Sequence, residues 1–276
     1  MRLLGLSCDA QGVAVAAAEF ELGSGPVTQL TCRAFVSMRQ EGTSSASNLA
    51  LGLIDEVLRE FASTLQIGPY DPRQGLNLDV IAFNAGPGGF TAVRSACALA
   101  QGLALAWNTP LAAVSSLQAW AQSASQPITP PTSVATKPAL VLLDARMSEL
   151  YVGQFHMAGR ALVAVEPLVL RPEQLIHEVK VIASKEKSKD ATGVLLGDFS
   201  ASFPALLPEL EALGWTYQSH LKLEMYALLE VAYWEQQANS SFWVSAEQAA
   251  PIYVRNKVAL DVREQQALRG ARQTSA

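Results

Sequence analysis

Residues 79–107 read DVIAFNAGPGGFTAVRSACALAQGLALAW, and their reading decides the fold. Val80, Ile81, Ala82 and Phe83 form a short apolar run, the pattern of a strand covered on both faces. Gly86, Pro87, Gly88 and Gly89 end it. Proline lacks an amide donor and fixes φ, and glycine reaches backbone angles closed to other residues. A helix of mostly small residues follows, with Thr91 or a neighbour placed to cap its first turn. Ala92, Ala96, Ala100 and Ala104 lie four apart on one stripe, and Ala98, Gly102 and Ala106 form a second. So few bulky side chains let another backbone come close. The stripes serve either a tight contact within the fold or a contact with another subunit.

Toward the N-terminus, Leu3–Leu6, Val13–Phe20 and Thr28–Val36 read as a β-meander joined by short turns. A polar run from Arg39 to Ser47 leads to Asn48, a candidate cap for a helix over Leu49–Leu65. There Leu51, Ile54, Leu58, Phe61 and Leu65 recur at helical spacing. Beyond the glycine turn and its helix, Leu111–Val114 is a strand, and Ser115 or Ser116 caps a helix through Ala121. The stretch Ser123–Lys137, SASQPITPPTSVATK, has the proline-rich polar composition of a linker. After it, LVLLDARMSELYVGQF repeats the grammar of LLGLSCDAQGVAVAAAEF: an apolar strand, a tight polar turn, an alternating strand. The two hairpins are either a duplication or unrelated. Pro172–Val179, Pro204–Leu213 and Leu221–Trp234 read as helices, Ser184–Asp190 as a charged loop and Val194–Leu196 as a strand. This gives an expected N-terminal lobe over 1–122, a linker over 123–138 and a C-terminal lobe over 139–220. Residues 221–276 then pack back on the body and end in a tail.

The chain has 276 residues, is 50% apolar and 16% charged, and carries a net charge of −5. It can bury a large core, and it lacks the broad basic footprint of a stand-alone nucleic-acid binder. Cys8, Cys32 and Cys97 are too few and scattered for a disulfide framework or zinc cluster. His156, His177 and His220 stand in three separate elements without ligand spacing, so no metal site is expected. No window reaches the roughly 18 apolar residues of a membrane span, and no secretory signal opens the chain. The expectation is a cytoplasmic protein with core thiols and no membrane contact.

Three blocks carry a resemblance. FNAGPGGFTAVRSACALAQGLALAWNTPLAAVSSLQAWA is similar to the signature segment of the bacterial TsaB (YeaZ) family, through Gly86, Pro87, Gly88, Phe90, Thr91, Val93, Arg94, Gln101, Gly102, Leu103, Ala104, Val114, Ser115 and Leu117. LLDARMSELYVGQF resembles the family's I-D-A-R-M-x-E-V-Y through Asp144, Ala145, Arg146, Met147, Glu149 and Tyr151. PIYVRNKVA resembles P-x-Y-L-R-N-x-V-A through Pro251, Tyr253, Arg255, Asn256, Val258 and Ala259. The resemblance implies an α/β fold: the two-lobed, duplicated actin/Hsp70-like (ribonuclease H-like) ATPase architecture, with two turns facing each other across a cleft. It implies a non-catalytic subunit of the machinery that makes threonylcarbamoyladenosine in tRNA. That subunit would bind the catalytic paralogue TsaD, with the ATPase TsaE as a further partner, self-pair as a homodimer when alone, and meet tRNA only through the complex. The expected interface is Thr91, Ser95, Ala98 and Gly102 on one helix and Leu51, Ile54 and Leu58 on another.

This chain departs from the family pattern in places. Ser7 stands where the first acidic residue is usual, with Asp9 two positions on, Gly89 replaces a common serine, and QEGTSSASN lacks a histidine. The alternative reading is a nucleotide hydrolase or peptidase-like enzyme with a degenerate cleft. Its candidates for holding ATP or ADP are the glycine turn at Gly86 and Gly88, whose amides can face a phosphate at a helix N-terminus, and the pair Asp144 and Arg146. The pair reads equally as a plain hairpin turn. No catalytic residue is assigned.

Overall fold

Leu4 and Leu6 of the first strand point to one side of a sheet, and Leu3 points to the other. Side chains of a strand alternate between faces, so apolar residues on both sides demand cover on both sides. The computed structural model, which describes residues 1–9, 12–23, 30–41, 46–124, 137–157, 160–185 and 193–254, supplies that cover. Strands β1 (Arg2–Cys8), β2 (Gly12–Leu22) and β3 (Leu30–Glu41) form an antiparallel meander. After helix α1 (Ala46–Leu65), β4 (Val80–Gly86) lies parallel to β1, with Leu4 opposite Ile81 and Leu6 opposite Phe83. Helix α2 (Phe90–Trp107) crosses over to β5 (Leu111–Ser115), parallel to β4. The sheet order is β3-β2-β1-β4-β5.

Helices α1 and α2 cover one face with Ala50, Ile54, Leu58, Phe61, Ala96 and Ala100. The other face is closed by α6 (Met225–Ala238), far along the chain, through Leu228, Leu229, Ala232 and Tyr233. Gly5 permits that approach: a β-carbon there would meet Leu229 and Met225 at 3.0 Å.

The second sheet follows α3 (Ser116–Ser123) and holds β6 (Lys137–Arg146), β7 (Glu149–Met157), β8 (Ala161–Leu170), β9 (Val194–Leu196) and β10 (Thr216–Tyr217). Its order, β10-β9-β6-β7-β8, is the first sheet's order run from the other edge. β6 pairs antiparallel with β7 and parallel with β9, as β1 does with β2 and β4. The hairpins β1–β2 and β6–β7, which open the two sheets, therefore hold equivalent places. Helices α4 (Pro172–Lys185) and α5 (Leu206–Ala212) pack on one face of this sheet, and α3 on the other.

Several local expectations change. α1 is helical from Ala46, so Asn48 lies within its first turn and is not its cap. The cap of α2 is Gly89, whose carbonyl accepts from Val93, and no side chain there bonds the helix end. Ser115 does cap α3, accepting from the Gln118 amide at 3.4 Å. α4 and α6 run further toward their C-terminal ends than their apolar spacing indicates. Thr28, most of the linker and charged loop, and Arg255 and Asn256 lie outside the described residues.

Candidate functional site

The inward stripe of α2 is the first alanine series. Ala96, Ala100 and Ala104 are buried against the sheet with Val93, Cys97 and Leu103. Small side chains there bring the helix axis close to the strands, and this settles one of the two stripes as an internal contact.

One flank of α2 is held by the chain's own C-terminal segment. Gln101 donates through Nε2 to the carbonyls of Ala246 at 2.8 Å and Ala249 at 3.1 Å. Arg94 lies 3.6 Å over the Phe90 ring and donates through Nε to the Tyr253 hydroxyl at 2.9 Å. The amide of Ile252 donates to the carbonyl of Ala85 at 2.8 Å. Gly86, at φ 99°, is therefore overlaid by backbone, and a β-carbon there would meet the Ile252 carbonyl oxygen at 3.3 Å. The glycine turn is thus filled from within on the side where Ile252 lies.

The second stripe faces outward. Thr91, Ala98, Gly102, Leu105 and Ala106 are exposed and Ser95 is half-buried. Leu105 keeps 66% of its surface in water. A β-carbon on Gly102 would meet nothing within 4 Å, and the same is true of Gly52 on neighbouring α1. Leu51 of α1 is 55% exposed. Ile54 and Leu58 do not join it: they are 2% and 0% exposed, packed under α1 in the core. Their i, i+4 spacing aligns them with Ala50, Val57 and Phe61, while Leu51 falls beyond the margin of that stripe. Both are corrected from interface to core. The remaining exposed face of α2 is made of small and apolar residues, Thr91, Ser95, Ala98, Gly102 and Leu105, with exposed Arg94 at its margin, and Leu51 is exposed on α1.

The two hairpin turns differ in chemistry. In the first, the Asp9 carboxylate accepts from the Gly12 amide at 2.9 Å and from Arg39 at 2.8 Å, so it closes the turn. Ser7 is buried and accepts from Asn84 Nδ2 at 3.2 Å. The Asn84 carbonyl oxygen accepts from the Ser116 hydroxyl and from the Gly86 amide. Asn84 thereby ties β1, the glycine turn and α3 together, a neutral hub that sequence reasoning missed. Its one signal is a lone polar residue closing an apolar run. Burial and the neighbouring Asp9 push the Cys8 thiol up to about 11, and burial raises Cys97, so neither is a ready nucleophile.

In the second turn Arg146, Met147 and Ser148 are all left-handed, at φ 64°, 56° and 60°. Asp144 accepts from the Arg146 amide at 2.7 Å, from its guanidinium at 3.2 Å and from the Ser202 hydroxyl at 2.7 Å. The Asp144 amide donates to Asp198 at 3.4 Å. Burial pushes the Asp198 carboxyl above its ordinary range, with the Asp144 charge adding to the shift, although the residue keeps part of its surface in water. The Asp198 carboxylate thus sits on the Asp144 backbone and within reach of its charge. Among the described residues, no group of three or more His, Cys, Asp or Glu could hold a metal ion. No helix there is long and apolar enough to cross a membrane.

Two sheets of one topology, with turns after equivalent central strands, define a duplicated actin-like α/β protein. A family model described as TsaD, tRNA N6-adenosine threonylcarbamoyltransferase, matches residues 51–268. The tRNA threonylcarbamoyladenosine biosynthesis protein TsaB of Escherichia coli strain K12 is 30% identical over 186 residues, 66% of this chain and 73% of that protein. TsaB of Haemophilus influenzae is 29% identical over 196 residues, 67% and 73% of the two chains. YeaZ from Pseudomonas aeruginosa superposes with a TM-score of 0.61 at 24% identity, covering 91% of this chain and 99% of its own. The chain belongs to the TsaB/YeaZ family.

Proposed function

We propose that the chain is a non-catalytic subunit in the biosynthesis of threonylcarbamoyladenosine in tRNA, the process named for its relatives. In this reading it binds the catalytic paralogue TsaD through the open face of α2 and the Leu51 margin of α1. It holds that partner in an active arrangement for threonylcarbamoyl transfer to the adenosine next to the anticodon. One observation carries the reading: an exposed helix face of small residues with Gly102 open to close backbone approach. Apolar faces of this kind are covered in working assemblies. Free of partner, the same face pairs with a second copy. The net charge of −5 leaves the tRNA to the partner. TsaE is a further partner of the assembly, and the setting is the cytoplasm.

Co-purification with the catalytic paralogue tests the reading. Ala98→Trp and Gly102→Trp are expected to abolish the complex while circular dichroism stays native. Glu209→Trp, on exposed α5, is expected to leave it intact. A folded Ala98→Trp/Gly102→Trp protein that still binds and supports tRNA modification overturns the assignment.

A second reading rests on Asp144 and Asp198, the latter accepting from the former's backbone amide: a nucleotide hydrolase whose second-lobe turn holds a cation-bound phosphate chain. Calorimetric titration with Mg-ATP decides it. Tight binding lost in Asp144→Ala supports the hydrolase, and no heat supports the scaffold.

A further inference from the structure

Helix α3 is the joint of the molecule, because it touches both sheets. Its first residue, Ser116, bonds Asn84 of β4. Its next, Leu117, lies against β7 so closely that a β-carbon on Gly153 would be 3.1 Å from the Leu117 β-carbon and 2.7 Å from the Phe155 ring. Two buried glutamines, one turn apart, then grip a single residue of the edge strand β8. Gln118 donates through Nε2 to the Ala161 carbonyl at 3.2 Å, and the Ala161 amide donates to Gln122 Oε1 at 2.8 Å. The pair replaces the neighbour strand that an edge position lacks.

Each glutamine also reaches the other way. Gln118 Nε2 donates to Glu235 at 2.6 Å and Gln122 Nε2 to Glu230 at 3.0 Å, both on α6. α6 is the helix that closes the first sheet. The Gln122 amide donates to a carboxylate and accepts from a backbone N–H at once, and the Gln118 Nε2 group divides its two protons between the Ala161 carbonyl and Glu235. In a buried setting, removing one member leaves the others unpaired, so the network acts as a unit.

We infer that Gln118 and Gln122 form an interlobe clamp, tying α6 of the first lobe to β8 of the second and fixing how the two sheets sit against each other. A two-lobed protein opens and closes by a hinge or by sliding of packed elements. The Gly153–Leu117 contact blocks sliding of α3 over β7, and the clamp blocks its rotation against β8. The molecule then meets any partner with its lobes already set, so binding carries no cost of ordering them. The clamp operates whether or not the α2 face is the one a partner covers.

Spin labels at Ser63→Cys on α1 and Glu209→Cys on α5, in a Cys32→Ser background, measure the interlobe distance by double electron–electron resonance. One narrow distance distribution is expected with both glutamines present. Gln118→Ala/Gln122→Ala is expected to broaden it or add a second population while secondary structure is kept. A narrow, unshifted distribution in that folded variant overturns the clamp. If the double variant does not fold, amide exchange decides. The Ala161 amide is expected to be protected in the native chain and to exchange about tenfold faster in Gln122→Ala, the loss of roughly one hydrogen bond. Exchange at the unprotected rate in the native chain overturns the clamp.

Discussion

The first and second sheets are built to one plan and carry opposite chemistry at the same place. Where β1 and β4 end, the first lobe has Ser7 and Asn84, both neutral and hydrogen-bonded to each other. Where β6 and β9 end, the second has Asp144 and Asp198, with the Asp198 carboxylate accepting from the Asp144 backbone amide. Cover differs as well. Helices close both faces of the first sheet. The second leaves its edge strand β8 with Leu162, Val163, Val165 and Leu168 exposed. Duplication preserved the hydrogen-bond ladders, which any apolar alternation can satisfy, and freed the strand ends to diverge. A neutral, internally bonded end is a structural joint. An acidic end is held instead by Arg146 and Ser202.

The glycines at the ends of β4 and β9 offer the sharpest break of this comparison. Gly197, at φ 113°, would place a β-carbon 1.9 Å from the Leu142 carbonyl oxygen, a backbone atom with nowhere to go. Gly197→Ala is expected to cost about 4 kcal/mol or more in urea denaturation, where severe backbone conflicts fall. At Gly86 the nearest neighbour is a Val93 methyl at 3.2 Å, so Gly86→Ala is expected to cost about 1–3 kcal/mol, mainly from its positive φ. Equal losses would mean that the two turns are held alike.

Within the first lobe, Leu58→Ala is expected to lower stability by about 2–5 kcal/mol, as a fully buried leucine does. Leu51→Ala is expected to stay within about 0.5 kcal/mol and to weaken the partner complex instead. A large stability loss at Leu51 would move it into the core.

Asp198→Asn makes the second strand end resemble the first. Asp198 has a raised folded-state pKa, so the folded state holds the proton more tightly than the unfolded chain. Between the ordinary carboxylate range and that raised value, native stability therefore falls as pH rises. The asparagine variant is expected to lack this slope and to become the more stable protein toward neutral pH, read from urea midpoints between pH 4 and 7. An unchanged slope would put the proton elsewhere.

The smallest effect is expected at Gly102. A glycine inside a helix with open space around it is less stable than alanine by about 0.5–1 kcal/mol. Gly102→Ala is expected to raise the melting temperature slightly while weakening partner binding. A gain in stability without loss of binding would remove Gly102 from the contact face.

The strand-turn-strand repeat and the inward alanine stripe were legible because both depend on local periodicity. β8 was not, since ALVAVEPLVL alternates nothing and contains Pro167, and β10 is a two-residue strand. The split of Leu51 from Ile54 and Leu58 escaped because all three keep helical spacing, and only packing decides where the buried stripe ends. The partners of Arg94 and Gln101 lie more than a hundred residues away in Tyr253, Ala246 and Ala249, beyond any local pattern.

The closing of the first sheet by α6 and the 245–254 segment has a consequence for synthesis. β1 to β5 are made first, but one apolar face waits for Met225–Ala238, and the glycine turn waits for Ile252. The whole second lobe is translated in between, a delay on the order of ten seconds at ordinary elongation rates. Throughout that interval the nascent chain presents Leu3, Phe20, Val80 and Val114 without their cover. The half of the molecule that leaves the ribosome first is the half whose cover is made last.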